Sequence, residues 1–167
     1  MIEFVYKLFL GILVATTIGM GISTFYTGPT MPEYPSVPSQ YANTEMPPAE
    51  QEKYDQDTRQ YDARYERYAD QNNDYQRNVA IIAIALSIIV LVVSLISLAK
   101  IDVLADGLLL GGVFTLLYGI FASFNSGDQK FIFVATLFGL VVALTLGYVK
   151  FVKPEQAAKA KRPKRKK

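Results

Sequence analysis

Four long apolar blocks constrain this chain most strongly. They run from Leu8 to Tyr26, Val79 to Ala99, Val103 to Phe124 and Phe131 to Val149. Each block is 19 to 22 residues long. An α-helix rises 1.5 Å per residue, so about 20 apolar residues cross the roughly 30 Å hydrocarbon layer of a bilayer. The sequence therefore predicts an all-α membrane protein, a bundle of four transmembrane helices.

These blocks divide the chain into seven predicted segments. Residues 1–26, 79–99, 103–124 and 131–152 form the transmembrane helices, 27–48 a proline-rich extracytoplasmic segment, 49–78 an extracytoplasmic helix, and 153–167 a basic cytoplasmic tail. A competing interpretation makes residues 1 to about 23 a cleaved signal peptide and leaves three spans. The first block is long for a signal peptide and has no clear small-residue cleavage site, which favours four spans.

The basic C-terminal end predicts the orientation. Residues 150–167 contain nine Lys and Arg against Glu155 alone, and such residues favour the cytoplasmic side. We therefore expect both termini in the cytoplasm and residues 27–78 outside the cell (plasma) membrane. The tail is read first as a disordered topology signal, with attraction to anionic lipids as an alternative. The candidate lipid-contacting residues are Lys159, Lys161, Arg162, Lys164, Arg165, Lys166 and Lys167. No aromatic residue follows Phe151, so a nucleic-acid partner is not expected.

The polar segment between the first two blocks has two distinct parts. Pro29, Pro32, Pro35 and Pro38 recur at every third position, which stacks their rings along one edge of a polyproline II rod. From residue 49 to residue 99 there is neither Gly nor Pro. This stretch predicts one continuous helix, whose outer part extends about 45 Å and could kink at Gln71 to Asn73.

A stripe of tyrosines marks one face of that outer helix. Its members, the candidate interaction residues, are Tyr54, Tyr61, Tyr65, Tyr68 and Tyr75. Three arrangements account for the stripe: the proline edge folds back on it, a second copy pairs with it as a coiled coil, or the region is loosely ordered. The first arrangement is similar to the hairpin of the pancreatic-polypeptide family, in which regularly spaced prolines pack on a helix. That similarity implies nothing about hormone function.

Small residues recur at every fourth position in three of the spans. The candidate helix-packing residues are Gly11, Ala15 and Gly19 in the first span, Gly107, Gly111 and Gly119 in the third, and Gly139, Ala143 and Gly147 in the fourth. Such ridges allow helices to approach closely in lipid. We favour packing within the chain over a substrate path or an oligomer seam. The second span lacks glycine and is expected to present more surface to lipid.

Asp106 is the one acid within the four apolar blocks. An intramembrane carboxylate is by default a functional candidate. Asp102 is predicted to cap the third helix, which places Asp106 in its first turn and favours a structural role. The blocks contain no second charge that could be its partner, and Glu3 and Lys7 are predicted to pair with each other at i,i+4.

The composition also bears on chemistry. There is no cysteine and no histidine, which excludes thiol nucleophiles, Cys/His metal sites and imidazole catalysis. No catalytic spacing emerges among the remaining polar residues, so neither an enzyme nor a cofactor is predicted. We expect a non-enzymatic membrane protein that presents a helical projection to a protein partner or to a second copy. The alternative is an accessory or pore-forming subunit of a transporter or insertase.

Three sequence stretches carry a further resemblance. They are the run from Asp106 to Tyr118, Phe25-Tyr26 before the prolines, and Ser126-Gly127-Asp128 before the last span. Together they resemble small four-span membrane proteins of reduced-genome, candidate-phylum bacteria. The resemblance implies a bacterial inner membrane and carries no activity, substrate or catalytic residue.

Overall fold

The computed structural model describes residues 1–37, 46–96 and 101–152, and every regular element within them is helical. The elements are α1 (Ile2–Phe25), α2 (Pro48–Ile96), α3 (Asp102–Phe124) and α4 (Gln129–Gly147), followed by a π-helical turn at Tyr148–Val152. All four α-helices are long and apolar enough to cross a membrane. The prediction of an all-helical, four-span, multi-pass protein is therefore confirmed. Pro38, the end of the second span beyond Ile96 and the basic tail from Lys153 onwards lie outside the described residues.

Helix α3 is the centre of the bundle. It packs extensively against α1 and α2 and also contacts α4. Its ridge of small residues is buried throughout: Gly107, Gly111, Thr115, Gly119 and Ser123. A Cβ atom added at Gly111 would lie 2.8 Å from Val14 of α1, and one at Gly119 would lie 3.2 Å from the backbone oxygen of Ala80 in α2. The small residues thus let two neighbouring helices approach the α3 backbone closely.

Only some of the small residues on α1 and α4 lie at close contacts between helices. A Cβ at Gly11 would lie 2.8 Å from Leu110 of α3, and one at Gly139 would lie 2.5 Å from Ile120. Added Cβ atoms at Gly19 and Gly147 would meet nothing within 4 Å. Ala15 is half-buried and Ala143 is exposed. Close packing therefore involves one glycine of α1 and one of α4, each against α3.

The expectation that the second span would present more surface to lipid is wrong. Helix α2 buries Val79, Ala80, Ala83, Ser87, Leu91 and Ser94, whereas α1 buries only Gly11 and Ile22 and α4 only Ala135 and Gly139. Alanine and serine are small enough to replace glycine at a close helix contact. The hydroxyl of Ser94 also donates a hydrogen bond to the Ala105 carbonyl oxygen of α3 at 2.6 Å.

Helix α2 continues well past the bundle. It is 49 residues long and unbroken through Gln71 to Asn73, where the sequence allowed a kink. The turn between α3 and α4 packs against its side, because a Cβ at Gly127 would lie 3.1 Å from the Asn73 side chain. Gly127 has a φ of +70°, which glycine adopts without strain. The helix from Pro48 to Asn72 is therefore free of the bundle and extends roughly 37 Å at 1.5 Å per residue. We call this part the projection; the roughly 45 Å expected from the sequence refers to residues 49–78, all of which lie within α2.

Because α2 and α3 pack closely, we expect a large side chain between them to destabilise the fold. Gly119→Leu should lower the free energy of unfolding by about 1 to 3 kcal/mol, because the new side chain must displace Ile84 and lies against the α2 backbone. Gly19→Leu is the matched control, since its Cβ would enter open space. Thermal unfolding in detergent measures both. Equal losses in the two variants would contradict the packing described.

Candidate functional site

The first candidate site lies where α2 leaves the bundle. The ring of Tyr26, which follows α1, stacks on Tyr75 of α2 with centroids 5.2 Å apart and planes 8° apart. The Tyr75 hydroxyl donates to the Tyr26 carbonyl oxygen at 3.0 Å, and the Asn78 amide donates to the Tyr26 hydroxyl at 2.8 Å. We call Tyr26, Tyr75 and Asn78 the collar. It joins the end of α1 to the base of the projection.

The collar lies against the apolar core of the bundle. The core's buried members come from three helices: Ile22, Val79, Ala80, Ala83 and Ala122, with Tyr26, Tyr75 and Phe131 packed against them. Burial raises the pKa of the Tyr75 hydroxyl, which keeps the phenol neutral as a hydrogen-bond donor. The direction of the projection is therefore set by the same contacts that form the core.

The segment after α1 runs back along the projection. Backbone at Gly28 passes the Tyr75 ring, where an added Cβ would lie 3.1 Å from Cε1. Further out, Tyr34 meets Tyr61 edge-on with centroids 4.9 Å apart. Tyr34 is eight positions after Tyr26, and Tyr75, the partner of Tyr26, is fourteen positions after Tyr61. Fourteen residue steps correspond to about 21 Å of helix. The segment is therefore antiparallel to α2 and extended, at about 2.6 Å per residue.

The prolines of this segment lie towards the helix. Pro29, Pro32 and Pro35 are half-buried, whereas the residues between them are exposed. At the outer end a cavity of about 350 Å³ is lined by Pro35, Ser36, Met46, Glu50, Lys53, Tyr54 and Asp57. Hydrogen bonding to Tyr54 raises the pKa of Tyr34. In the described residues, the chain itself thus covers part of the tyrosine stripe.

The tyrosines predicted to interact differ in what they contact. Tyr61 and Tyr75 have aromatic partners from the returning segment, and Tyr54 and Tyr68 are half-buried. Tyr65 is 43 % exposed, with its ring next to those of Tyr61 and Tyr68. Among the described residues of the projection and its returning segment, the large exposed apolar side chains are Met31, Tyr34, Val37 and Tyr65.

The second candidate site lies at the opposite end of the bundle. The Lys7 ammonium donates to Asp106 Oδ2 at 2.8 Å, and the Lys150 ammonium donates to Asp106 Oδ1 at 2.6 Å. The side chains of Lys7, Asp106 and Lys150 are 23, 28 and 42 % exposed. We call these three residues the lysine–aspartate cluster. It connects the start of α1, the start of α3 and the end of the last span.

Two expectations about this region are wrong. The N-cap of α3 is Ile101, with Asp102 already in the first turn, so Asp106 lies one residue further into the helix than expected. Asp106 also has two cationic partners, and Lys7 pairs with it rather than with Glu3. Sequence reasoning missed them because Lys7 directly precedes the first apolar block and Lys150 directly follows the fourth. Successive spans cross the membrane in opposite directions, so the start of the first, the start of the third and the end of the fourth lie on the same side. This topology could have predicted the cluster.

No protein-family model matches this chain, and no curated protein or solved structure is significantly similar to it. Function is therefore inferred from the contacts described above.

The collar makes a prediction that isolates one hydrogen bond. Tyr75→Phe keeps the ring stack on Tyr26 but removes the donor to the Tyr26 carbonyl oxygen. It should lower the free energy of unfolding by about 1 kcal/mol. Tyr65→Phe is the control, because Tyr65 is exposed and should change stability by less than about 0.5 kcal/mol. Thermal unfolding in detergent distinguishes the two, and no difference between them would argue against the collar.

The lysine–aspartate cluster makes a second stability prediction. Asp106→Asn leaves two ammonium groups without their carboxylate. Since the site is partly exposed, the loss should be about 1 to 2 kcal/mol, between the values for surface and buried pairs. Asp102→Asn, on the same helix and exposed, is the control and should cost a few tenths of that. If the two variants melt at the same temperature, the cluster contributes nothing to stability.

Proposed function

We propose that this protein is a non-enzymatic integral membrane protein that presents the projection to a protein partner outside the membrane, as an interaction or assembly component. The observation that carries this proposal is the continuity of α2. One unbroken helix runs from the buried contact with α3 at Ser94 to the free end at Pro48. A partner bound to the outer half would therefore contact the same helix that packs within the bundle.

The returning segment supports the proposal by giving the projection a second layer. An isolated helix of about 25 residues has little packing of its own, and most helical stability in proteins comes from contact with an apolar face. The Tyr34 and Tyr61 rings supply such a contact far from the bundle. The half-buried positions of Pro29, Pro32 and Pro35 have the three-residue period of polyproline II. We infer that the segment adopts this conformation and stiffens the projection.

The orientation in the membrane follows from the charges. Lys7 and Lys150 lie at the end opposite the projection, and the sequence following Lys150 is rich in Lys and Arg. Because Lys and Arg near span ends favour the cytoplasm, we place both termini inside and the projection outside. We propose a bacterial inner membrane as the location, in agreement with the resemblance to small four-span membrane proteins of candidate-phylum bacteria.

The chemistry of the exposed surface favours a protein as the partner. Tyrosine and methionine are enriched at protein interfaces, and Met31 and Tyr65 are 60 % and 43 % exposed. A surface that is already ordered loses less conformational entropy when it binds. A second copy of this chain and a different protein are both compatible with that surface, and the experiment below separates them.

The alternative is an accessory or pore-forming subunit of a transporter or insertase. The lysine–aspartate cluster is the observation that favours it. The polar residues on the buried face of α3 do not extend that cluster into a path, because Thr115 and Ser123 donate to their own helix at Gly111 and Ile120. Among the described residues every buried side-chain N or O atom has a hydrogen-bond partner. The presentation role therefore has the broader support.

Site-specific photo-cross-linking in native membranes tests the presentation role. A photoreactive residue at Tyr65 should capture a discrete partner, identified by mass spectrometry. The same residue at Arg67, about 200° around the helix, should capture little. Tyr65→Ala should then weaken co-purification of that partner about tenfold, as expected for a central aromatic contact.

Capture through the bundle alone would contradict the proposal. A photoreactive residue at Leu140 of α4, which is 55 % exposed, serves as the membrane-level comparison. If Leu140 captures the partner and Tyr65 does not, the subunit role is favoured instead. A cross-linked product of twice the chain mass would identify the partner as a second copy.

A further inference from the structure

A cavity adjoins the lysine–aspartate cluster. Its volume is about 450 Å³, and it lies among α1, α3 and the last span. Beyond Lys7, Asp106 and Lys150, its lining is apolar: Leu109, Leu110, Val113, Ala143, Leu146 and Gly147. The cavity thus combines a charged part with a wall of hydrocarbon side chains.

The charged part carries an excess of positive charge. Among the residues that line the cavity, two ammonium groups share the single Asp106 carboxylate, so the lining has one net positive charge. The carboxylates of Glu3 and Asp102 are close enough to act on Lys7 but do not line the cavity. Each ammonium has three N–H donors, and one from each lysine is directed at Asp106. The remaining N–H groups can donate to the oxygens of a bound anion, and Lys150 is 42 % exposed. The group that complements this arrangement is an anion with several oxygens, such as a phosphate.

The apolar part extends from the charges towards the middle of the span. Val113 lies seven residues beyond Asp106 on α3, which is about 10 Å along the helix. Ala143 lies seven residues before Lys150 on the last span. A free phosphate ion would make no favourable contact with this apolar wall, whereas a phospholipid places its phosphate at the membrane surface and its acyl chain beneath.

We propose that this cavity binds one anionic phospholipid. Its phosphate lies at Lys7 and Lys150, and an acyl chain follows the wall that includes Val113 and Ala143. The site is separate from the attraction of the basic tail to the membrane surface, and it does not depend on the presentation role of the projection.

Native mass spectrometry of the full-length protein tests the proposal. The purified protein in detergent is titrated with phosphatidylglycerol or with phosphatidylcholine of the same acyl chains. We expect one phosphatidylglycerol to be retained in preference to phosphatidylcholine. Lys150→Gln should weaken that retention about fivefold, because a lysine near an anionic lipid contributes about 1 kcal/mol. Lys130→Gln, at the other end of the bundle and exposed, should leave it unchanged.

Two further variants separate lipid binding from a purely structural ion cluster. Asp106→Asn removes the competing carboxylate, so it should strengthen retention of phosphatidylglycerol although it weakens the fold. Phosphatidylglycerol should also raise the melting temperature of Asp106→Asn more than that of the native chain. Ala143→Phe fills the apolar part from an exposed position and should weaken retention without changing the charge.

Several results would overturn the proposal. They are equal retention of the two lipids, no effect of Lys150→Gln, and weaker retention in Asp106→Asn. Loss of retention only after Lys164→Gln and Lys166→Gln in the tail would assign the effect to the tail. Displacement of phosphatidylglycerol by millimolar inorganic phosphate would identify a site for the free anion.

Discussion

The close approach of α1 and α2 to α3 is the interaction on which the rest of the structure depends. In lipid there is no hydrophobic gain when two apolar helices meet, so association relies on van der Waals contact and hydrogen bonds. Gly111 and Gly119 allow that contact at the level of the backbone, and Ser94 adds a hydrogen bond between α2 and α3. Helix α4 packs less extensively against α3. Its close contact is that of Gly139 with Ile120.

The two ends of the bundle are completed by polar contacts of different kinds. At the projection end, the collar uses neutral hydrogen bonds and a ring stack to fix α1 against α2. At the opposite end, the lysine–aspartate cluster connects three chain segments through charge. Each arrangement lies near the end of a span, where polar groups can still reach the headgroups and water. The collar holds the projection in position, and the cluster borders the proposed lipid site.

The sequence predicts the helical class well because block length and composition are local properties. Four apolar blocks and the run without Gly or Pro are enough for the spans and for the continuity of α2. Features that depend on contacts between residues far apart in the sequence were harder to predict. Lys7 and Asp106 are 99 positions apart, and both lysines lie just outside the apolar blocks. The absence of glycine from the second span predicted lipid exposure, whereas Ala80, Ala83 and Ser87 are small enough to bury α2 against the bundle. The return of Tyr34 to Tyr61 was one of three arrangements that the tyrosine stripe allowed.

The central claim is that one bundle holds the projection on one side of the membrane and the lysine–aspartate cluster on the other. Labelling of single cysteines tests it directly, because the chain has no cysteine of its own. In intact cells, a membrane-impermeant maleimide should label Glu66→Cys in the projection, and it should label Asp102→Cys at the start of α3 only after permeabilisation. Labelling of both positions in intact cells, or of Asp102→Cys alone, would contradict the account.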